Sequence, residues 1–318
     1  MRALVTGGAG FVGRHLVDAL LAAGHDVVAA GLAHGAQPAA ERLAWRELDI
    51  VDAADCRAAI EEARPGWVFH LAGMAHVAAC ERDPERALAV NFGGTRAVLE
   101  ACAAAAPRAR VLLVSSAEVY GRVPADSPPI TEDRPLRPAT AYALSKACAE
   151  LAGHRAAARG ARVLIVRPFN HIGPGQSDEF VASAFARQLA RIEAGSQPPV
   201  LRVGNLEAVR DLTDVRDAAS AYVALMERAP DGGVYNVTSG RATSVRQLLE
   251  LLVALCRQKV AVETDPERLR PIDVPRLHGS GAALERDTGP RSWRELRATL
   301  ADLLDYWRAR EPDASARR

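Results

Sequence analysis

The chain has 318 residues, which is long for one compact core and suits two lobes or one large α/β unit. Lys and Arg number 40 and Asp and Glu number 39, so the near-neutral charge argues against nucleic-acid binding and against an acidic disordered chain. Hydrophobic residues make up 49% of the chain, as in globular proteins that bury a core.

The five cysteines are scattered without a CxxC spacing, so we expect reduced thiols in a cytoplasmic protein. The chain passes from Met1 directly into a strand and a glycine loop, and we expect no signal peptide. No uncharged apolar run approaches the roughly 18 residues of a membrane span. We therefore predict no membrane segment, and we predict no metal site.

The first half of the chain alternates apolar, strand-like runs with Ala-rich, helix-forming stretches. Continuous apolar strands separated by helices are typical of a parallel sheet covered on both faces. Right-handed crossovers then give a doubly wound, Rossmann-like α/β fold. The runs are RALVTG (2–7), DVVAAG (26–31), WVFHLAG (67–73), RVLLVSS (110–116) and RVLIVRP (162–168).

After Pro168 the alternation becomes irregular, and Gly, Pro, Asn and charged residues become more frequent. We predict a smaller C-terminal substrate-binding lobe there. The stretch 207–235 is assigned back to the larger lobe, because DAASAYVALMERA reads as an amphipathic helix followed by a glycine turn. The predicted dinucleotide-binding domain is 1–168 plus about 207–235, and the predicted nucleotide-sugar-binding lobe is about 169–206 plus 236–318.

A glycine-rich segment, VTGGAGFVGR (5–14), follows the first predicted strand and opens a helix. Gly7, Gly10 and Gly13 fit the GxxGxxG spacing. Such glycines allow a tight turn and a close approach of a pyrophosphate to the backbone, at a helix N-terminus that favours anionic oxygens. The context predicts a dinucleotide site, and the alternative is an ordinary glycine turn.

The second predicted strand runs into GLAH (31–34), without the Asp or Glu that normally binds the ribose hydroxyls of NAD. A 2′-phosphate is therefore admissible, and Arg14 is either its positive partner or a plain surface residue. We favour NADP(H) as the cofactor, with NAD(H) as the alternative. Asp49 and Ile50, at the end of a third predicted strand, are placed at the adenine edge or else in a strand-end turn.

Residues 142–146 read YALSK, which places Tyr142 and Lys146 four positions apart on one face of a helix. A nearby lysine ammonium favours the phenolate and is expected to lower the pKa of Tyr142 from about 10. The pair then serves as a general acid or base near neutrality. The alternative is a solvated Tyr and Lys on a helix surface.

A second stretch, VSSAEVYGR (114–122), ends a predicted strand at the sheet edge where open α/β folds bind ligands. A Ser116 hydroxyl there can hydrogen-bond the substrate oxygen that exchanges its proton with Tyr142. Neighbours on a strand face opposite sides, so Ser115 is predicted to point away from the site. Glu118 is counted with the catalytic residues and is expected to orient substrate rather than drive elimination.

The sequence resembles the extended short-chain dehydrogenase/reductases, the NAD(P)-dependent nucleotide-sugar epimerases, dehydratases and reductases, over nearly its whole length. The resemblance implies catalytic roles for Ser116, Tyr142 and Lys146, and a structural role for Tyr120. It adds Asn91 and Thr95 as residues near the cofactor. The motifs are TGGAGFVG (6–13), HLAG (70–73), NFGGT (91–95), SSAEVYG (115–121), YALSK (142–146) and RDLTDVRD (210–217). The predicted cofactor-binding residues are Gly7, Gly10, Phe11, Val12, Gly13, Arg14, Asp49, Ile50, Leu71, Ala72, Gly73, Asn91, Tyr142 and Lys146.

The second lobe is most similar to the family members that reduce GDP-4-dehydro-6-deoxy-D-mannose. This similarity is carried by RPFNHIGPGQ (167–176), VGNLEAVRDLTDVRD (203–217) and DPERLRPIDVP (265–275). It implies NADPH-dependent reduction of a C4 ketone to give GDP-D-rhamnose. The predicted substrate-binding residues are His76, Ser116, Glu118, Asn170, His171, Val181, Arg210 and Arg270.

Several of these assignments have structural alternatives. Arg210 and Arg270 are suitable forks for diphosphate oxygens, but Arg210 is also placed to pair with Asp211 or Asp214. His171 is as consistent with a structural role as with a sugar contact. A lone loop histidine such as His76 is more often not a ligand.

Three other functions remain open at this point. A GDP-mannose 4,6-dehydratase needs a further acid–base group, and Ala117 stands where dehydratases of the family carry Asp or Ser, although Glu118 remains. A nucleotide-sugar C4 epimerase would use the same Ser–Tyr–Lys site. A non-catalytic NADP-binding regulator would need no such site. The Ala-rich helices predicted at 85–106 and 141–158 suit pairing in a homodimer, as in relatives.

Overall fold

The computed structural model describes residues 1–32, 40–124, 126–268 and 274–311. Its main element is a seven-stranded sheet in the order β10-β6-β5-β4-β1-β2-β3, in which every neighbouring pair is parallel. The strands of the sheet and of the smaller lobe are β1 (Arg2–Thr6), β2 (Asp26–Gly31), β3 (Leu43–Glu47), β4 (Trp67–His70), β5 (Arg110–Val114), β6 (Arg162–Pro168), β7 (Asn170–Ile172), β8 (Val200–Val203), β9 (Val209–Asp214), β10 (Val234–Val237), β11 (Ala242–Ser244), β12 (Ala261–Thr264) and β13 (Arg276–Leu277).

The helices cover both faces of the sheet, as in a doubly wound fold, and this confirms the predicted fold class. One face packs against α1 and α8 around Leu16, Tyr222 and Leu225, and the other packs against α2, α5 and α6 around Ile60 and Val98. The helices are α1 (Phe11–Ala22), α2 (Ala53–Ala63), α3 (Val77–Arg82), α4 (Pro84–Leu88), α5 (Gly94–Ala105), α6 (Ala141–Ala158), α7 (Val181–Glu193), α8 (Val215–Arg228), α9 (Val245–Val253), α10 (Ala282–Thr288) and α11 (Leu296–Arg308).

All five strand-like runs of the sequence form strands that start at the predicted residue. Three of them end early: β1 stops at Thr6, β4 at His70 and β5 at Val114. Past β4 and β5 a single further bond extends the ladder, from the Leu71 N–H to the Thr6 carbonyl and from the Ser115 N–H to the Val166 carbonyl, and the chain then forms loops. Those loops carry the predicted site, because the strand order reverses between β1 and β4 and leaves a crevice at their carboxyl ends.

The smaller lobe has its own core, built from α7, α9 and α11 around Leu189, Leu248, Leu300 and Leu303. Its strands form a small sheet in the order β11-β9-β13, with β7 paired to β9, and a separate pair of β8 with β12. The core is apolar because each helix turns a stripe of apolar side chains inward at helical spacing.

The predicted division of the chain into lobes stays a prediction, and the elements cross between the two bodies several times. Strand β9 lies in the small sheet, whereas α8, which follows it at once, packs on α1 of the large sheet. The Asp214 side chain caps α8 by accepting from the Arg216 N–H at 2.8 Å. The chain therefore passes from the small sheet to the large lobe at this one residue. Strand β10 then forms the edge of the large sheet, and Leu284 of α10 joins its core.

Leu164 tests the packing of the large sheet. Its side chain is fully buried in the middle of β6, so Leu164→Ala should lower the free energy of unfolding by about 2–5 kcal/mol. Urea denaturation followed by circular dichroism measures this loss. Leu32→Ala, at a side chain that is 57% exposed, should change stability by less than about 0.5 kcal/mol.

Candidate active site

The glycine loop joins β1 to α1 in a turn that side chains would block. Gly7 has φ +72°, and a Cβ atom there would lie 2.8 Å from the Ala72 nitrogen. A Cβ atom at Gly13 would lie 2.1 Å from the Gly7 carbonyl oxygen. Helix α1 therefore starts in close contact with the end of β1, and no side chain caps the helix at Gly10. The first-turn N–H groups remain available to an anion, which fits the pyrophosphate of a dinucleotide.

Asn91 holds the loop that follows β4. It lies in a π-helical turn at Ala89–Gly93, is 1% exposed, and accepts from the Met74 N–H at 2.8 Å while donating to the Met74 carbonyl at 3.0 Å. It also donates to the Ser145 hydroxyl on α6 at 2.8 Å. A Cβ atom at Gly73 would lie 2.6 Å from the Asn91 amide oxygen. The predicted contact of residues 71–73 with the cofactor therefore depends on a glycine at this position.

A buried polar chain ties β1 to β4 beneath this loop, and the sequence reasoning missed its central residue. His70 Nδ1 lies 2.8 Å from the Thr6 hydroxyl, and His70 Nε2 lies 3.1 Å from the Thr95 hydroxyl. Thr95 in turn donates to the Asn91 carbonyl at 2.6 Å. Burial lowers the pKa of His70 to about 3, so the ring is neutral at neutral pH. The HLAG motif (70–73), which begins with His70, was the sequence signal that could have identified this residue.

The residues predicted at the adenosine end differ in their exposure. Arg14 is exposed on the first turn of α1, and His34 lies outside the described residues. Asp49 is exposed and accepts from the Val51 N–H at 3.0 Å, while Ile50 is 5% exposed. Asp49 therefore shapes a turn that presents Ile50 to the core.

The structure brings together Ser116, Tyr142 and Lys146, three of the four residues predicted to act in catalysis. Thr140 caps α6 by accepting from the Ala143 N–H at 3.1 Å, which sets Tyr142 in the first turn. The Tyr142 hydroxyl is hydrogen-bonded to Ser116, and Lys146 Nζ donates to the Val114 carbonyl at 2.7 Å. Tyr142 and Lys146 are 9% and 8% exposed. They are buried members of one site rather than solvated surface residues.

The expected lowering of the Tyr142 pKa is wrong for this structure. Burial raises the pKa of Tyr142 to about 12, and the hydrogen bond with Ser116 opposes only part of that rise. The negative charge of Glu118 acts in the same direction as burial. Burial lowers the pKa of Lys146 to about 8, and its ammonium is directed to a backbone carbonyl. The phenol is therefore set up as a proton donor.

Ser115, predicted to point away from the site, is bonded to a buried residue outside the proposed catalytic set. Its hydroxyl donates to Glu150 on α6, the same helix that Ser116 contacts through Tyr142. The Ser115 N–H still donates to the Val166 carbonyl of β6 at 2.8 Å, one residue past the end of β5. Ser116 instead caps the short 3₁₀ turn at Ala117–Tyr120, with its hydroxyl accepting from the Glu118 N–H at 3.2 Å.

The predicted sugar-binding residues lie where the two bodies meet. Among the described residues, Asn170 Oδ1 and His171 Nδ1 on β7 are buried without a hydrogen-bond partner, which marks them as open to a ligand or water. His171 Nε2 lies 3.0 Å from the Tyr222 hydroxyl, and burial lowers the pKa of His171 to about 4. The His76 ring meets the Phe180 ring edge-on at 6.2 Å, directly before Val181 of α7.

A basic cavity beside α7 was not predicted. Its volume is about 540 Å³, and the arginine side chains that line it are Arg187, Arg191, Arg202 and Arg268. The spacing of Arg187 and Arg191, one turn apart on α7, was the available signal. Of the predicted diphosphate ligands, Arg210 donates to the Val209 and Val274 carbonyls at 2.9 and 2.7 Å, and Arg270 lies outside the described residues.

Residues 3–238 match the model of the NAD dependent epimerase/dehydratase family, and the chain belongs to this family. A curated relative, GDP-6-deoxy-D-mannose reductase of Pseudomonas aeruginosa, is 38% identical over 310 residues, which cover 97% of this chain and 98% of the relative. These matches confirm the resemblance predicted from the motifs.

Two solved structures support the same assignment. The structure of RMD from Pseudomonas aeruginosa complexed with NADPH has a TM-score of 0.84 and 35% identity, covering 97% of this chain and 99% of that one. The UDP-glucose 4-epimerase of Thermus thermophilus in complex with NAD has a TM-score of 0.86 and 29% identity, covering 97% and 99%. The fold and the cofactor crevice are thus common to proteins that bind either dinucleotide.

The described ranges hold neither a membrane-spanning helix nor a side-chain cluster suited to a metal ion. None of the helices there has the length and apolar character needed to cross a membrane. In those same residues no group of three or more His, Cys, Asp and Glu side chains is arranged to hold a metal ion.

Gly10→Ala tests the cofactor cradle. The added methyl would lie 3.1 Å from the Gly7 carbonyl oxygen, so the loop would have to shift by a few tenths of an ångström, and it would occupy the approach of the pyrophosphate. We expect the Kd for NADPH to rise by at least about tenfold, measured by nicotinamide fluorescence, with little change in Tm. Gly93→Ala, whose methyl lies 3.9 Å from its nearest neighbour, should leave the Kd unchanged. Unchanged binding in Gly10→Ala would contradict the cradle.

Proposed function

We propose that the protein reduces the C4 ketone of GDP-4-dehydro-6-deoxy-D-mannose to GDP-D-rhamnose with NADPH. The observation that carries the proposal is the buried Ser116–Tyr142–Lys146 set at the carboxyl edge of the sheet. The full-length similarity to a GDP-6-deoxy-D-mannose reductase supports the choice of substrate. The similarity to an NADPH complex and the missing carboxylate after β2 support NADPH, with NADH as the alternative.

The residues of the crevice fit the cofactor. The uncapped first turn of α1 suits the pyrophosphate, and the loop at Leu71–Gly73, held by Asn91, lines the next part of the crevice. Lys146 lies beside this loop, with Nζ 3.8 Å from the Cβ position of Gly73. The dinucleotide supplies the hydride when it is bound, and the protein supplies orientation and electrostatics.

The proton chemistry suits reduction. Ketone reduction needs a proton at the oxygen that becomes an alkoxide, and Tyr142 carries its proton at neutral pH because burial raises its pKa to about 12. Ser116 is placed to polarise the same oxygen through a hydrogen bond. Lys146, whose pKa is about 8, is a cation at neutral pH and favours negative charge in the transition state.

The dehydratase alternative is weakened at Ala117. Its side chain is 1% exposed and packs in an apolar cluster with Tyr120, Ile130 and Phe169. A methyl group cannot exchange a proton, so Glu118 would have to perform the elimination alone. The negative charge of Glu118 acts to raise the pKa of Tyr142, so the two side chains belong to the same site. This supports a role for Glu118 in orienting substrate.

We infer that the nucleotide diphosphate lies in the basic cavity. Arg187 already pairs with Asp178 and Glu311, whereas no ion pair of Arg191 or Arg202 occurs within the described ranges. Guanidinium groups recognise diphosphate oxygens well. The sugar would then extend past Val181 towards Asn170 and His171.

An apolar groove between α5 and α6 supports homodimer formation. Its volume is about 490 Å³, and its lining includes Phe92, Leu99, Cys148 and Leu151. Leu151 is 65% exposed and Phe92 38% exposed, which is costly for a free surface. A second copy that packs the same helix pair by two-fold symmetry would cover both grooves.

The cysteines are free thiols, which supports the proposed cytoplasmic location.

The reaction is tested by the nicotinamide absorbance of two incubations, one with GDP-4-dehydro-6-deoxy-D-mannose plus NADPH and one with GDP-mannose alone. We expect NADPH consumption in the first and no change in the second. A keto-sugar formed from GDP-mannose without net NADPH use would establish the dehydratase. Interconversion of a UDP- or CDP-sugar would establish the epimerase, and NADPH binding without any turnover would establish the regulator.

Tyr142→Phe tests the proton donor in the same assay. We expect kcat to fall by about 10²–10⁴-fold, because the phenyl ring keeps its packing against Cys80 and Ala87 but has no proton to give. Tyr306→Phe removes a hydroxyl on α11, in the other lobe, and should keep full activity. Unchanged turnover in Tyr142→Phe would remove Tyr142 from the mechanism.

Leu151→Glu tests the dimer. A carboxylate in the apolar groove would have to be desolvated in the interface, so we expect the dimer to dissociate to monomers. Light scattering coupled to size exclusion measures the mass. Val262→Glu, at a 46% exposed side chain on β12, should remain dimeric. A monomeric wild-type protein would overturn the assignment of this groove.

A further inference from the structure

Three successive residues at the end of β5 are bound to three residues of α6. The outer two bonds belong to the proposed catalytic set, and the middle one does not. Because β5 and α6 are separate elements with a loop of 26 intervening residues, from 115 to 140, these bonds set how close the serine and the tyrosine lie. The pairs are Val114 with Lys146, Ser115 with Glu150, and Ser116 with Tyr142.

The middle bond is anchored by a buried ion pair. Glu150 is fully buried, and the Arg167 side chain is 6% exposed. Arg167 Nη2 and Nε donate to the two carboxylate oxygens of Glu150 at 2.7 and 3.0 Å. The Ser115 hydroxyl donates to the same carboxylate, so this one charged group of α6 is hydrogen-bonded to residues at the ends of both β5 and β6.

Arg167 also fixes the segment that follows Ser116. Its Nη1 donates to the Tyr120 hydroxyl at 3.0 Å and to the Glu132 carbonyl at 2.9 Å. The Tyr120 hydroxyl donates to the Asn236 amide oxygen at 2.7 Å. Ser116 is therefore held on its N-terminal side through Ser115 and on its C-terminal side through Tyr120, and both routes lead to Arg167.

This arrangement has a physical consequence for the site. A buried, fully hydrogen-bonded ion pair permits little movement, because each displaced donor loses a charge-assisted bond without gaining water. Glu150 lies one helical turn beyond Lys146 and two beyond Tyr142 on α6. A shift in Glu150 or Ser115 therefore moves the Ser116–Tyr142 hydrogen bond, and an error of about 1 Å in such a contact costs roughly 10²-fold in rate.

We propose that Glu150 and Arg167 are positioning residues that hold Ser116 against Tyr142 and so set the turnover of the reduction. The proposal rests on the proposed function of the Ser116–Tyr142–Lys146 site. Neither residue lines the substrate cavity, so both act on kcat rather than on binding. A purely structural ion pair would behave differently, because its replacement by apolar side chains is often neutral for stability.

The test compares Glu150→Gln, Arg167→Lys and the apolar double variant Glu150→Leu/Arg167→Met. In the two single variants we expect kcat to fall by about 10–100-fold, with KM and the NADPH Kd within about twofold of wild type. The double variant should recover the melting temperature and still show the loss of kcat. Wild-type kcat in the double variant would show a merely structural pair and overturn the proposal.

Ser115→Ala and Glu193→Gln are the matched variants. Ser115→Ala removes only the middle bond and leaves the ion pair intact, so it tests the proposal even if the charge variants do not fold. It should lower kcat by about fivefold or more, and unchanged kcat would overturn the proposal. Glu193 is held by a similar fork, with Arg308 Nε and Nη2 at 2.7 and 2.8 Å in the smaller lobe, so Glu193→Gln should keep wild-type kcat.

The readouts separate this proposal from the proposed function. All kcat values are ratios to wild type with whichever nucleotide sugar wild type converts, so a different substrate would leave the test intact. If wild type converts none, the proposed function fails, and crystal structures of Ser115→Ala and Glu150→Gln decide the positioning role. A longer Ser116–Tyr142 oxygen separation than in wild type supports it, and an unchanged separation overturns it.

Discussion

Parallel pairing of the strands is the constraint on which the rest of the structure depends. It brings the carboxyl ends of β1, β4, β5 and β6 to one edge of the sheet, and each strand is followed there by a loop that carries part of the site. The reversal of strand order between β1 and β4 opens the crevice for the dinucleotide. Helices on both faces bury the sheet, so this edge is the place where ligands reach its backbone.

The chemistry depends on burial as much as on proximity. The same desolvation keeps the proton on Tyr142, lowers the pKa of Lys146 and makes His70 neutral. These groups can be buried together because their polar atoms find protein partners: Lys146 a backbone carbonyl, and His70 two threonine hydroxyls. A ketone bound here would meet a firmly protonated phenol, which favours reduction over reactions that begin by removing a proton.

Sequence patterns predicted the elements well where one physical rule decided the outcome. The starts of five strands, the glycine turn and the helix carrying Tyr142 and Lys146 follow from apolar runs, glycine spacing and helical periodicity. Prediction failed where separate segments meet. The Tyr142 pKa was assigned the wrong direction because burial outweighs a neighbouring charge. The arginines of the basic cavity were missed because they come from α7, β8 and the 3₁₀ turn Pro266–Arg268.

By itself the sequence determined the family, the doubly wound fold and the identity of the residues at the carboxyl edge, because local spacing and apolar periodicity encode all three. The tertiary structure alone decided which of these residues touch and how they ionise. Ser116 and Tyr142 meet because the Glu150–Arg167 pair joins β5, β6 and α6. No local sequence pattern predicts the contact between Glu150 and Arg167. Contacts between distant segments and the loss of water around them are properties of the packed chain, so only the folded molecule shows them.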